Sequence, residues 1–117
     1  MLPRSQRLTT AAFATAFAQG RSLRHPLLQL RVFKREDGNP ELRAAFVVAK
    51  KLGKATLRNK VRRRVREQYR LHPARLDERL QGCDLIVMAS AAAIEATTVE
   101  IDAALEQLLP RAARMQV

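Results

Sequence analysis

Most of the residues that metal and redox chemistry needs are scarce here. Cys83 is the only cysteine, so no intrachain disulfide can form. The two histidines, His25 and His72, lie far apart and offer no zinc-ligand spacing, and both are expected at the surface. There is no tryptophan and one tyrosine, and aromatic residues make up 4% of the chain, too few for the usual stacking platform of an RRM-type single-strand binder. The four glycines, at 20, 38, 53 and 82, form neither a Walker loop nor a dinucleotide fingerprint. Apolar runs are only a few residues long, as in Leu85 to Ala89, so nothing is long enough to span a bilayer. The opening "MLPRSQRLTT" lacks the apolar block of a signal peptide, and a cytoplasmic protein without membrane attachment is expected. Acids number 11 against 22 Lys and Arg, and the adjacent pairs Glu36 with Asp37 and Asp77 with Glu78 fall in turn-like, solvated segments. No nucleophile has an evident partner. If the chain belongs to an enzyme, its chemistry is expected elsewhere.

What the sequence has in excess is positive charge, and it is concentrated. "KLGKATLRNKVRRRVREQYR", Lys51 to Arg70, holds nine Lys and Arg against the single acid Glu67, which is +8 of the chain's +11. Like charges so crowded repel, and a folded domain usually keeps them because a polyanion neutralises them. At 117 residues the chain is expected to form one domain, 1–117, around one core.

The pattern predicts three helices and three strands. "RLTTAAFATAFAQG" reads as a helix capped by Thr9 or Thr10 and stopped by a left-handed Gly20, with Phe13 and Phe17 on one face. Alternation over Leu27 to Lys34 gives a strand, "REDGNP" a turn, and "LRAAFVVAKK" a second strand, so that 27–51 reads as a hairpin. A helix follows from an N-cap at Thr56 to about Leu71, its apolar arc formed by Leu57, Val61, Val65 and Tyr69. Cys83 to Ala89 reads as a central strand. Thr97 to Glu100 fits a capping box, and Ile101, Leu105, Leu108 and Leu109 give the last helix its stripe before Pro110. The fold class is therefore α+β, a small sheet covered by helices.

RNA is the polyanion that fits best. A hairpin, not a second helix, precedes the basic helix, against a helix-turn-helix, and the thin apolar arc would be consumed by a core, not a membrane surface. A structural, ribosomal-type RNA-binding protein would share this charge and size, and a DNA-binding module is the more distant alternative.

The motifs go further. "LPRSQRL", "FATAF", "VVAKKLGKATLRNKVRRRVRE" and "CDLIVMA" together resemble the bacterial ribonuclease P protein subunit over nearly the whole chain. The most specific block, KKxGxAxxRNxxKRxxRE, is matched by Lys50, Lys51, Gly53, Ala55, Arg58, Asn59, Arg62, Arg63, Arg66 and Glu67. The resemblance implies a mixed sheet covered by helices, with a left-handed crossover around the basic helix. It implies a partner, the catalytic ribonuclease P RNA, which with Mg²⁺ removes the 5′ leader of precursor tRNA, and it implies no obligate protein partner. Catalysis would belong to the RNA, and the protein would raise effective Mg²⁺ affinity. Arg58, Asn59, Lys60, Arg62, Arg63 and Arg66 would contact the RNA subunit, guanidinium forks gripping phosphates, with a metal near Asn59 and RNA phosphates as a further implication. Lys60 replaces the family's usual Arg. Arg64 stands where the family has an apolar residue and is expected to snorkel outward. A cleft between the first helix and the sheet would take the single-stranded leader on Phe13, Phe17, Arg31 and Lys51. Spacing alone would place the two Phe in the core, and Phe33 and Phe46 are expected there.

Overall fold

The computed structural model describes residues 2–116. Its elements in chain order are α1 (Thr10–Gln19), β1 (Arg21–Arg24), β2 (Leu28–Lys34), β3 (Arg43–Val48), α2 (Ala55–Leu71), β4 (Cys83–Ala89) and α3 (Thr98–Arg114). The strands form one mixed sheet in the order β1-β2-β4-β3, with β3 parallel to β4 and the other pairs antiparallel. The hairpin expected over 27–51 does not exist, because β4 inserts between β2 and β3. The real hairpin joins β1 to β2, and β1, the polar "RSLR", carried no alternation to announce it.

A buried and a half-buried arginine account for β4's place between its neighbours. Asp84, 1% exposed, receives Arg35 Nη1 at 2.6 Å and Arg43 Nε and Nη2 at 2.8 and 2.9 Å. Arg35 also donates to the carbonyls of Cys83, Asn39 and Glu41 and to the Asp37 carboxylate, so its whole fork is satisfied and the 35–42 loop is wound around it. A carboxylate buried in this way stays favourable only while its cations stay with it.

Alternation sorts the sheet's two faces. Leu28, Leu30 and Val32 of β2, with Leu85 and Val87 of β4, point into the main core against Val61, Val65 and Tyr69 of α2 and Ile101, Leu105, Leu108 and Leu109 of α3. Each fully buried Leu or Ile contributes roughly 1.5–3 kcal/mol. Cys83 lies in this core, and burial pushes its thiol up, which makes it a packing residue and not a nucleophile. The opposite face carries Ile86 and is crossed by α1, which seals its fully buried Ala16 against the sheet.

Several local expectations are corrected. Gly20 is extended, at φ −70°, not left-handed; glycine is needed because a Cβ there would meet the Ala16 carbonyl oxygen at 2.4 Å. The basic helix begins at Ala55, its cap Lys54 lying two residues ahead of the expected cap at Thr56, and Leu57 is 37% exposed. Leu57 packs instead over Gly53, whose φ of +150° and missing Cβ allow an approach that any side chain would block at 2.8 Å. His72 is buried, its Nδ1 accepting from the Ala74 amide at 3.0 Å and its Nε2 lying 2.9 Å from Glu106. The last helix runs through Pro110 to Arg114. The capping box of Thr97 and Glu100 forms as the sequence indicated. Phe33 is half-buried, and Phe46 packs partly buried against the core, edge-on to Tyr69 at 5.3 Å.

Candidate RNA interface

Two surfaces meet beside β3. The first is α2. Its Val61, Val65 and Tyr69 are anchored inward at i, i+4 and i+8, so the remaining positions are turned away from the core, and half of them are cations. These cations are not equivalent. Arg58 Nε donates to the Gly53 carbonyl at 3.1 Å. Arg62 Nε donates to the Phe46 carbonyl at 3.2 Å, and its Nη1 to Asn59 Oδ1 at 2.6 Å. Those contacts leave part of each fork free and fix its direction, which lowers the ordering cost of gripping a phosphate. Lys60 and Arg63 are fully on the surface. Arg66 is half-buried in a groove of about 200 Å³ that it shares with Arg62, Arg7 and Leu8. Arg64 does not reach outward. Its Nη1 donates to the Ala96 and Ile94 carbonyls at 3.0 and 3.4 Å, tying α2 to the entry of α3.

Arg7 extends the cationic surface and was not singled out by sequence reasoning. Its strand-like bridge to Ala44, with the Leu8 amide on the Ala44 carbonyl at 3.3 Å, lays the N-terminal segment along the outer edge of β3. The signal was present in the "LPRSQRL" match but carried no periodicity.

The second surface is the sheet face beside α1. Phe13 and Phe17 stack with centroids 6.0 Å apart and planes at 16°. Phe13 is half-buried, and Phe17 is 51% exposed, so one ring is seated and the other presents a face to solvent. Under Phe17 lies Arg31, its guanidinium carbon 5.2 Å from the ring centroid. Arg31 is itself held, Nη1 on Ser22 Oγ at 2.9 Å and Nη2 on the Gly20 carbonyl at 3.1 Å. It therefore supports the ring from below instead of standing free in the cleft. Beyond it, Gln29, Met88 and Val47 form a half-buried row on the same face. Lys51 stands exposed in the turn after β3, at the end of the sheet where α2 begins.

The site's donors do not suit a protein-held Mg²⁺. Among the described residues no group of three His, Cys, Asp or Glu is arranged to hold a metal ion, and the Asn59 oxygen already accepts from a guanidinium. Mg²⁺ demands near-octahedral oxygen donors, usually with carboxylates, and the one carboxylate on α2, Glu67, is paired with Arg70.

Residues 2–113 match the family model of Ribonuclease P. The chain belongs to the ribonuclease P protein family. It is 37% identical over 105 residues to the ribonuclease P protein component of Symbiobacterium thermophilum, covering 90% of this chain and 88% of that one. Among solved structures it is similar to the RNase P protein of Staphylococcus aureus, at 30% identity and TM-score 0.75, covering 92% of this chain and 94% of that chain. It is also similar to the RNase P protein of Thermotoga maritima, at 30% identity and TM-score 0.73, covering 90% and 96%. The α+β architecture is thus the family's, ribonuclease P RNA is the partner, and the chain is the protein component of a tRNA-processing endoribonuclease. The ribosomal-type alternative is not favoured.

Proposed function

We propose that this ribonuclease P protein grips its RNA partner with the cationic face of α2 and receives the single-stranded 5′ leader of precursor tRNA in the cleft beside α1. The observation that carries the reading is the placement of an exposed Phe17 ring, seated on a guanidinium, above an open sheet face that ends at the basic helix. A ring so supported can stack a base without regard to its identity, for about 1–3 kcal/mol. Bond cleavage belongs to the RNA and to Mg²⁺ held by RNA oxygens. The protein lowers the repulsion between leader and RNA backbones by placing Arg58, Lys60, Arg62, Arg63 and Arg66 between them, which also lets the RNA fold at lower Mg²⁺. The cytoplasm is the proposed compartment.

Arg63 tests the RNA-gripping half cleanly, because it is exposed and makes no hydrogen bond among the described residues that folding would lose. Arg63→Ala should leave thermal unfolding unchanged and make the salt dependence of RNA-subunit affinity shallower by roughly 0.7–0.9 in logarithmic slope, the loss of one phosphate contact. Titration of the labelled RNA at several salt concentrations measures this. An unchanged slope would place the RNA on another face.

A further inference from the structure

A second group of cations lies across the sheet from α2. Arg21 and Arg24 sit on the edge strand β1, and Arg111 and Arg114 occupy the last turns of α3. All four are exposed, and none pairs with an acid among the described residues. The first acid in the chain is Glu36, and the carboxylates of Asp102 and Glu106 on α3 face His72 instead. The two arginine pairs are linked, since Arg111 Nη1 donates to the Arg24 carbonyl at 3.3 Å. Favourable placement at a helix C-terminus explains Arg111 and Arg114 but not Arg21 and Arg24.

The cleft floor leads to Arg24, whose carbonyl Arg111 reaches from α3. Val47, Met88, Gln29 and Arg24 are register partners across all four strands and share one face, a row of three interstrand spacings or roughly 14 Å. At the β1 end it opens into a pocket of about 170 Å³ lined by Arg24, His25, Gln29, Met88 and Ser90. Met88 offers an apolar floor there, and Gln29 and Arg24 offer donors.

We propose that the upstream part of a single-stranded RNA leader leaves the cleft over this pocket and is held by its phosphates on Arg24 and on Arg111, whose guanidinium meets the Arg24 carbonyl at the β1 edge. The polarity follows from placement: α2 binds the RNA subunit that cleaves, so the nucleotides next to the scissile bond lie at the β3 side and those farther upstream at β1. The proposal rests on the leader-cleft reading above and extends it.

The test uses the holoenzyme reconstituted with ribonuclease P RNA and two precursor tRNAs, one whose leader ends above Gln29 and one several nucleotides longer. The wild type should bind the long leader more tightly, with a salt slope steeper by roughly 1.4 for two single-strand phosphate contacts. The double variant Arg24→Ala with Arg111→Ala should lose that advantage and the extra slope, and keep wild-type affinity for the short leader. Arg24→Lys with Arg111→Lys should restore most of both, since a point charge still binds phosphate. Equal affinity for the two leaders in the wild type, or an advantage that survives the alanines, would overturn the proposal. In that case the arginines serve only to deter edge pairing between copies. Should Phe17→Ala also leave short-leader affinity untouched, the cleft itself would fail, and the proposal with it.

Discussion

Asp84→Ala should destabilise the free protein by about 3–5 kcal/mol, because it strands two guanidinium groups that now share one buried carboxylate. Arg35 is 8% exposed and donates from all three of its nitrogens, so it cannot swing out to water without unwinding the 35–42 loop. Against a typical total of about 5–15 kcal/mol, such a loss leaves a protein that is partly unfolded at working temperature. Urea unfolding of wild type and variant measures it. A loss below about 1 kcal/mol would show that Arg35 and Arg43 find other partners and that the network does not hold β3 beside β4. The functional cost would be indirect but large, since β3 delivers both the Lys50–Leu52 turn and the seat of α2.

Phe17→Ala should do the opposite, sparing the fold and weakening one ligand. A buried Phe costs about 3–5 kcal/mol on truncation, but half of Phe17 is already in water, so the melting temperature should stay near native. Precursor tRNA should lose the stacking of one base, about 1–3 kcal/mol, where each 1.4 kcal/mol is tenfold in affinity. Mature tRNA, which has no leader, should bind as before. Thermal unfolding together with holoenzyme affinities for both tRNAs decides the matter. A collapsed melting temperature with equal losses for the two tRNAs would return Phe17 to the core.

The contrast between these two residues also shows what was legible in the sequence. The 17-residue basic helix, the apolar β4 and the capping box were local, periodic signals, and they fold as their periods indicate. Asp84 gave no such sign. It sits in the apolar run "CDLIVMA", and its reason for being there lies at Arg35 and Arg43, some forty to fifty residues away. The false hairpin over 27–51 has the same origin: adjacency in sequence favoured pairing β2 with β3, while β4, bringing an apolar strand and a buried acid, competed successfully for both. Pro110 continues a helix whose Leu108, Leu109, Ala112 and Ala113 are all buried, so packing outweighs the lost hydrogen bond. In the cleft, Phe13 and Phe17 were found through resemblance to a family, since their spacing alone favours the core. Arg31 was expected as a direct leader contact, but Ser22 and Gly20 hold it beneath Phe17, and only the register of β1 with β2 brings those groups together.

The measurement closest to the central claim is precursor tRNA cleavage as a function of Mg²⁺, run with ribonuclease P RNA alone, with RNA plus protein, and with rigorously RNA-free protein. The expected result is no cleavage by the protein alone and a lower Mg²⁺ midpoint for the complex than for the RNA. Cleavage by RNA-free protein, or an Mg²⁺ midpoint that the protein does not move, would contradict it.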